Sequence, residues 1–235
     1  MCSLGQRLED VHRRIADAAE RAGRSPEDIQ LVAVSKTVPA ETVMEAYRLG
    51  QRHFGENRVQ EFREKRDALA ELGPMPDAVW HMIGHLQRNK AKPCVELFDI
   101  IQSVDSVKLA GLLNADAGVA GKRLRILLEV DFSDEPQRSG FSPVELERVA
   151  GELVLLPHVE IQGLMTVAPL GLDQEGTRTV FRRLRLLRDR LATSYPAASW
   201  GHLSMGMSDD YVLAIEEGAT IVRVGRAIFG ERSRG

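Results

Sequence analysis

The chain has 235 residues, of which 43% are apolar and 28% charged, a composition typical of a globular protein. Its 31 basic and 34 acidic residues leave a formal charge of −3, which argues against a nucleic-acid-binding surface because such surfaces are strongly basic. The two cysteines, Cys2 and Cys94, provide no disulfide framework and suit a reducing compartment. We find no secretory signal and no apolar run near the ~20 residues of a membrane span, and therefore expect a cytoplasmic protein.

Short runs rich in β-branched residues alternate with longer amphipathic segments along the chain. A helix comes first, with apolar residues spaced by three and four positions from Leu4 to Ala18. Eight predicted strands follow, at about residues 31–34, 53–54, 79–83, 100–104, 126–130, 159–167, 200–205 and 221–224. A helical segment is available after each strand, including a basic one from Leu86 and one that begins at Ser208. This order predicts parallel strands joined by crossover helices.

Eight strand–helix units predict an α/β fold, a single (β/α)8 TIM barrel with an extra N-terminal helix. Such a barrel usually takes ~250 residues. No linker-like or low-complexity segment divides the chain, so we expect residues 1–235 to form one domain. A doubly wound parallel sheet is the alternative, because a strand count from one sequence is easily wrong by one. In a barrel, the reactive groups gather where the strands end and the βα loops begin.

Lys36 follows the first predicted strand by two residues, in an apolar neighbourhood. One interpretation is a surface lysine whose aliphatic stem packs on apolar groups. The other is a desolvated amine, because burial disfavours the ammonium form of a lysine and leaves a nucleophile that forms a Schiff base with an aldehyde. The residues by themselves leave both interpretations open.

Further polar side chains fall where predicted strands end. Asn57 follows the second strand and is either a cap of the next helix or a ligand-binding residue. His81 and His85 are four residues apart, but a strand ends between them and Gly84 breaks the helical spacing, so we expect no metal site. Arg138, after the fifth strand, is either a surface arginine before a glycine turn or a further cation of the site.

Two loops late in the chain combine small residues with a following helix. They cover residues 203–210, after the seventh strand, and 224–227, after the eighth. Barrels frequently bind phosphate between these loops through backbone N–H groups, which glycines such as Gly206 and Gly225 leave accessible. Arg223 interrupts the apolar eighth strand and needs a partner if buried. That partner is either a carboxylate such as Glu129 or a group of a ligand.

The segments that carry these residues closely resemble the pyridoxal phosphate homeostasis protein family. The resemblance spans about residues 31–230. It rests on AVSKT at 33–37, FGEN at 54–57, WHMIGHLQ at 80–87 with NK at 89–90, GLM at 163–165, LSMGMSDD at 203–210, and VRVG at 222–225 followed by AIFG at 227–230. The resemblance implies a barrel like the N-terminal domain of alanine racemase, with pyridoxal 5′-phosphate as a covalently bound cofactor.

The resemblance also implies roles for individual residues. Lys36 would form the internal aldimine, and Arg223 would face the pyridine nitrogen of the cofactor. The phosphate would be held, largely through backbone N–H groups, by Ser204, Gly206, Gly225 and Arg226. The cofactor would be lined by Asn57, His81, Met165 and Met205, with Arg138 as a further contact. Arg226 stands where the family more often has threonine, so the phosphate assignment rests on Gly225 more than on the side chain of Arg226.

We expect a carrier or buffer of pyridoxal phosphate in intracellular vitamin B6 and amino-acid homeostasis rather than an enzyme. An arginine beside the pyridine nitrogen keeps it unprotonated, which weakens the ring as an electron sink. Racemisation also needs a second acid–base group, which alanine racemases take from a tyrosine of an additional domain. Eight βα units use this whole chain, and Tyr47, Tyr195 and Tyr211 are poorly placed to replace it. The alternative is a weak amino-acid racemase or a related Schiff-base enzyme, with a sugar-phosphate aldolase as a more distant one.

The expected partners are the cofactor and the apo-enzymes that receive it. We expect a monomer that binds neither nucleic acid nor membrane. Five arginines between residues 182 and 190 are either a docking face for an acidic partner or an ordinary solvated helix face. Asp189 lies among them and the chain is negatively charged overall, so the solvated face is favoured.

Overall fold

A closed barrel of eight parallel strands forms the centre of the molecule, in a computed structural model that describes residues 2–133 and 139–230. Each strand pairs with its neighbours in chain order, and the eighth returns to the first. The strands are β1 (Gln30–Val34), β2 (His53–Glu56), β3 (Val79–Met82), β4 (Ile100–Val104), β5 (Leu124–Glu129), β6 (Val159–Met165), β7 (His202–Ser204) and β8 (Ile221–Val224). The predicted (β/α)8 barrel is confirmed.

Nine α-helices accompany the strands in the described ranges. They are α1 (Leu4–Arg21), α2 (Ala40–Arg48), α3 (Val59–Leu72), α4 (Ala91–Leu97), α5 (Val107–Val119), α6 (Pro143–Leu153), α7 (Gln174–Ser194), α8 (Tyr211–Glu216) and α9 (Arg226–Phe229). The predicted N-terminal helix is α1, which precedes the first strand. Within residues 2–133 and 139–230, no helix combines the length and apolar character needed to span a bilayer.

The extra helix α1 begins at a capping box. The hydroxyl of Ser3 accepts the N–H of Gln6, and the side chain of Gln6 accepts the N–H of Ser3, which satisfies two amides that have no partner within the helix. Its buried face includes Leu8, Val11 and Ile15 and packs on α8 and α9. Burial of each such side chain contributes about 1.5–3 kcal/mol to folding. The helix therefore packs on the two helices that precede and follow β8.

The helix after β3 begins at Ala91, later than the predicted start at Leu86. Between them, Arg88–Lys90 form a short 3-10 helix, and the residues just before Leu86 pack against the β2–α3 connection. The N–H of Ile83 donates to the carbonyl oxygen of Glu56 at 3.0 Å. A Cβ on Gly84 would lie 2.4 Å from the carbonyl oxygen of Asn57, so the two loops approach as closely as glycine allows.

The barrel interior is partly polar. Alternation along the strands sends every second side chain inward, where bulky branched residues usually fill a barrel of this kind. Here Val32, Leu127, Met165 and Ile221 form an interior cluster of their own. The buried polar side chains linked across the barrel are His81, Gln102, Ser204 and Arg223. Burying polar groups costs free energy unless they are hydrogen-bonded, and these four side chains are. Since apolar side chains would fill the barrel without that requirement, the polar interior points to a functional role.

Candidate functional site

Lys36 lies just beyond the carboxyl end of β1, with a partly buried side chain. The residue before it, Ser35, is fully buried and donates its hydroxyl to Oε1 of Glu56 at 2.8 Å. The residue after it, Thr37, has a φ of 63°, in the left-handed region that β-branched residues avoid. Such a conformation costs about 1–3 kcal/mol and persists only where the surroundings impose it. The turn that carries Lys36 is therefore held by its neighbours.

An ion pair between Lys65 and Glu56 contacts this turn through the residue before Lys36. Nζ of Lys65, on α3, lies 2.6 Å from Oε1 of Glu56 and 2.6 Å from the carbonyl oxygen of Ser35. The Glu56 side chain is fully buried and that of Lys65 is only 10% exposed. Burial raises the pKa of Glu56, and Lys65 opposes that rise. Within the described ranges, Oε2 of Glu56 has no hydrogen-bond partner. Lys65 was not among the predicted site residues, because only the tertiary fold brings α3 under this turn.

Arg223 is buried in the interior at β8, with 4% of its surface exposed. Its Nη1 donates to Oγ of Ser204 at 2.5 Å and its Nη2 to the carbonyl oxygen of Thr166 at 2.8 Å. Burial lowers the pKa of Arg223 to about 10, and the carboxylates of Glu129 and Asp210 oppose that shift. The guanidinium therefore remains a cation at neutral pH. A carboxylate such as Glu129 was one of the two partners considered from the sequence, and the charge of Glu129 does act on Arg223.

Ser204 ends β7 with its hydroxyl in the barrel interior. The hydroxyl accepts from Arg223 and donates to Oε1 of Gln102 at 2.6 Å. Its side chain is therefore committed to orienting the guanidinium, and any contact of Ser204 with a phosphate would use its backbone. Gln102 was not among the predicted site residues. A buried amide in the apolar run of β4 was the signal that could have indicated it.

The loops after β7 and β8 bring several N–H groups together. The N–H groups of Gly225 and Ala227 both point at the hydroxyl oxygen of Ser208, at 3.3 and 3.4 Å. Ser208 lies in the turn before α8 and does not begin that helix, contrary to the prediction. The exposed guanidinium of Arg226 pairs with Asp209 at 2.6 Å. This donor set of two amides, a hydroxyl and a nearby cation fits an oxyanion, and the amides do not depend on the Arg226 side chain.

The predicted lining residues do not all reach the mouth of the barrel. Met165 ends β6 within the interior apolar cluster, and Asn57 follows β2 at the mouth. Met205 packs in the core between sheet and helices, so its side chain points away from the interior. His81 is buried, and its Nε2 points toward His53, the first residue of β2, so its ring faces the opposite end of the barrel. The structure does not bring these last two side chains to the mouth.

Two further predictions concern loops near the mouth. Arg138 lies outside the described residues. His85 is exposed, and its Nδ1 lies 2.9 Å from Oγ of Ser139 and 3.1 Å from Oδ2 of Asp105. In the part of the chain that the structure describes, no three His, Cys, Asp or Glu side chains are grouped as metal ligands.

Comparison with known proteins places the chain among relatives of similar length. Its sequence matches the profile of the alanine racemase N-terminal domain over residues 7–233. It is 44% identical to the pyridoxal phosphate homeostasis protein of Aquifex aeolicus over 227 residues, which covers 97% of both chains. The chain belongs to this family. The family predicted from the sequence motifs is thereby confirmed.

Solved structures agree with this family and with the fold. PipY of Synechococcus elongatus PCC7942, solved with pyridoxal phosphate bound, is 42% identical and superposes with a TM-score of 0.86, covering 97% of this chain and 100% of PipY. Alanine racemase of Clostridium difficile 630 is 17% identical with a TM-score of 0.72, and the superposition covers 95% of this chain and 57% of the racemase. The second likeness concerns the fold alone.

Proposed function

We propose that this chain binds pyridoxal 5′-phosphate at the mouth of the barrel, through a Schiff base with Lys36. One observation carries the proposal: Lys36, Arg223 and Gly225 lie at the carboxyl ends of two paired strands. Ala33 of β1 is in register with Val224 of β8. A Cβ on Gly225 would come within 3.3 Å of the carbonyl oxygen of Val34. This pairing of the strands would bring an amine, a guanidinium and the two amides of Gly225 and Ala227 to the same part of the barrel mouth.

The residues present suit the three ends of this cofactor. The amides of Gly225 and Ala227 would hold the phosphate, and Arg223 would meet the ring nitrogen from the interior. Met165 and Asn57 lie along the same rim. When bound, the cofactor supplies an aldehyde that reacts with an amine and a ring able to delocalise electrons. Arg223 limits the second property, because a permanent donor beside the ring nitrogen leaves that nitrogen unprotonated.

We further propose that the chain acts as a carrier or buffer of the cofactor and not as an efficient enzyme. The names of its relatives and the PipY structure with pyridoxal phosphate support the binding role. Cytoplasmic apo-enzymes would be the recipients, and residues 1–235 would act as one domain and as a monomer. A weak racemase or a related Schiff-base enzyme is the alternative, which the Lys36 amine would also permit.

The binding proposal is tested by trapping the Schiff base. Mixing the chain with pyridoxal 5′-phosphate should give a visible absorption band that borohydride removes, with one reduced adduct on a peptide containing Lys36. Lys36→Ala should show neither band nor adduct. Lys92→Ala, which alters an exposed lysine on α4, is the matched control and should behave like the unaltered chain. A reducible adduct that persists on another lysine in Lys36→Ala would show that the site assignment is wrong.

A further inference from the structure

A continuous row of hydrogen-bonded side chains crosses the barrel interior from β8 to β2. Arg223 Nη1 lies 2.5 Å from Ser204 Oγ, which lies 2.6 Å from Gln102 Oε1. Nε2 of Gln102 lies 2.8 Å from Nδ1 of His81, whose Nε2 lies 3.1 Å from Nδ1 of His53. His81, Gln102 and Ser204 are completely buried, so water does not compete for these bonds. The row joins the mouth of the barrel to its opposite end.

The direction of every hydrogen bond in the row follows from Arg223, at the end of the row nearest the barrel mouth. Arg223 can only donate, so Ser204 accepts and turns its own hydrogen to the carbonyl oxygen of Gln102. The amide nitrogen of Gln102 then faces His81 and can only donate, so Nδ1 of His81 carries a lone pair. The proton of the neutral imidazole is therefore on Nε2, where it is donated to His53.

Two donors meet at the lower end of the row. The amide nitrogen of Gln30 lies 2.8 Å from Nδ1 of His53 and 3.4 Å from Nε2 of His81, so Nδ1 of His53 is the acceptor that the Gln30 amide and the His81 N–H share. Burial lowers the pKa of His81 well below its usual value, and the charges of His53, Arg125 and His202 lower it further. The groups that act on His53 are Arg125 and His202, which disfavour its protonation, and Asp99, which favours it. A neutral His81 is thus consistent with every charge around it.

We propose that Gln102 and His81 are positioning residues for Arg223, and that they hold its guanidinium in place through Ser204. This inference rests on the proposed function, because Arg223 is there the partner of the cofactor ring. If the Gln102 amide were reversed, its nitrogen would face Ser204 and the serine hydrogen would lose its acceptor inside the protein. A buried donor without an acceptor is unfavourable, so Ser204 and Arg223 would rearrange. His81 supports this orientation of Gln102, because the lone pair on its Nδ1 accepts the amide hydrogen.

Histidine and arginine NMR tests the row without any cofactor. In the purified full-length chain, His81 should be neutral with its proton on Nε2. Gln102→Leu removes both amide contacts and should change the His81 ring signals and the side-chain signals of Arg223. Ser103→Ala removes a neighbouring, partly buried hydrogen bond, from Ser103 to the carbonyl oxygen of Gly84, and should leave both sets of signals unchanged. A His81 proton on Nδ1, or unmoved Arg223 signals in Gln102→Leu, would overturn the inference whether or not the cofactor binds.

Binding of pyridoxal 5′-phosphate then separates positioning from general loss of structure. Gln102→Leu should weaken binding about tenfold, the size expected when a buried hydrogen-bond partner is lost. Gln102→Glu should restore it to within about threefold, because one oxygen of the new carboxylate again accepts the Ser204 hydrogen and the other accepts a proton carried on Nδ1 of His81. Equal affinity of Gln102→Leu and the unaltered chain would contradict the inference. Absence of binding in the unaltered chain would contradict the proposed function instead.

Discussion

At the scale of the residue, the buried Lys65–Glu56 pair explains how the turn at Lys36 keeps its strained form. Nζ of Lys65 holds both the carboxylate of Glu56 and the carbonyl oxygen of Ser35, each at 2.6 Å. One ammonium group therefore binds both the residue that follows β1 and the last residue of β2. The strain at Thr37 is then a consequence of Ser35 being anchored on one side and α2 beginning on the other.

Replacing Lys65 tests this role. Lys65→Met leaves the Glu56 carboxylate buried without its cation, and removal of one partner of a buried pair costs about 3–5 kcal/mol of the free energy of unfolding. Burial already raises the pKa of Glu56, and loss of Lys65 raises it further. A carboxyl group whose pKa is raised by folding makes the protein less stable as the pH increases. The deficit in the free energy of unfolding should therefore be larger at pH 8 than at pH 5, where more of the Glu56 carboxyl group is protonated.

Urea unfolding at the two pH values measures this difference. Lys92→Met, at an exposed lysine, should change the free energy of unfolding by less than about 0.5 kcal/mol at either pH. Adding Glu56→Gln to Lys65→Met should recover part of the deficit at pH 8, because the uncompensated charge is gone. A deficit that does not depend on pH would show that Lys65 acts by packing and not by its charge.

At the scale of the element, the connection between β7 and α8 depends on one glycine. Gly206 has a φ of 91°, and a Cβ there would lie 2.6 Å from Cβ of Ala214 and 2.8 Å from Cα of Tyr211. Both the backbone conformation and the close approach of α8 therefore require glycine. This approach places the loop with Ser208 over the amides of Gly225 and Ala227.

Gly206→Ala should therefore destabilise the chain by more than the ~1–3 kcal/mol of a strained φ, and should weaken binding of pyridoxal 5′-phosphate. Gly171→Ala is the matched control, because Gly171 has a φ of 82° but no atom within 4 Å of the added Cβ. Gly171→Ala should lower the free energy of unfolding only by the conformational cost, and should leave binding unchanged. Denaturant unfolding measures the stability of both variants, and a titration measures their affinity for pyridoxal 5′-phosphate. If both variants lost the same stability and affinity, the role of α8 packing would be contradicted.

The arginine-rich helix α7 is mostly occupied by contacts within the molecule. Nη2 of Arg182 lies 3.3 Å from Oε1 of Glu217, just after α8, and Nε of Arg185 donates to the carbonyl oxygen of Glu217 at 3.0 Å. Nε of Arg190 pairs with Glu147 on α6 at 2.6 Å. These pairs join α7 to its neighbours. They support the interpretation of a structural helix face over that of a docking surface for an acidic partner.

At the scale of the whole molecule, barrel closure decides which groups can act on a bound cofactor. Arg223 is held by Ser204 and Thr166, so it remains a fixed cation at the ring nitrogen in the proposed complex. The tyrosines lie elsewhere. The hydroxyl of Tyr47 bonds to Asp77, Tyr195 packs beside Gly151, and the hydroxyl of Tyr211 is buried. A second acid–base group of this type is thus missing from the mouth as far as residues 2–133 and 139–230 show.

We therefore expect α-proton exchange to be slow. With the cofactor bound, each L-amino acid incubated in deuterated water should exchange its α-proton far below ~1 s⁻¹, an ordinary turnover rate for an enzyme. Proton NMR follows the loss of the α-proton signal. Lys36→Ala mixed with the same amount of cofactor gives the background rate. Exchange near ~1 s⁻¹ above that background would contradict the carrier proposal and favour the racemase alternative.

Part of the site was predictable because it depends on local sequence. Lys36, Arg223 and Gly225 are each placed by the end of a strand whose apolar residues are visible in the sequence. Which way the side chains of His81 and Gln102 point could not be predicted from local sequence. The pairing of β4 with β5 shifts between Ile101 and Val104, so simple alternation does not tell which side chains of β4 face inward.

The sequence by itself determined the eight-strand alternation, the family and the positions at which strands end, because these depend on hydrophobic periodicity and on short motifs. Only the tertiary structure decided that Lys65 supports the Lys36 turn, that Met205 faces the helices and that His81 faces away from the mouth. These contacts join residues on different elements. Strand register and helix packing determine these contacts, and neither can be predicted from one local segment of the sequence.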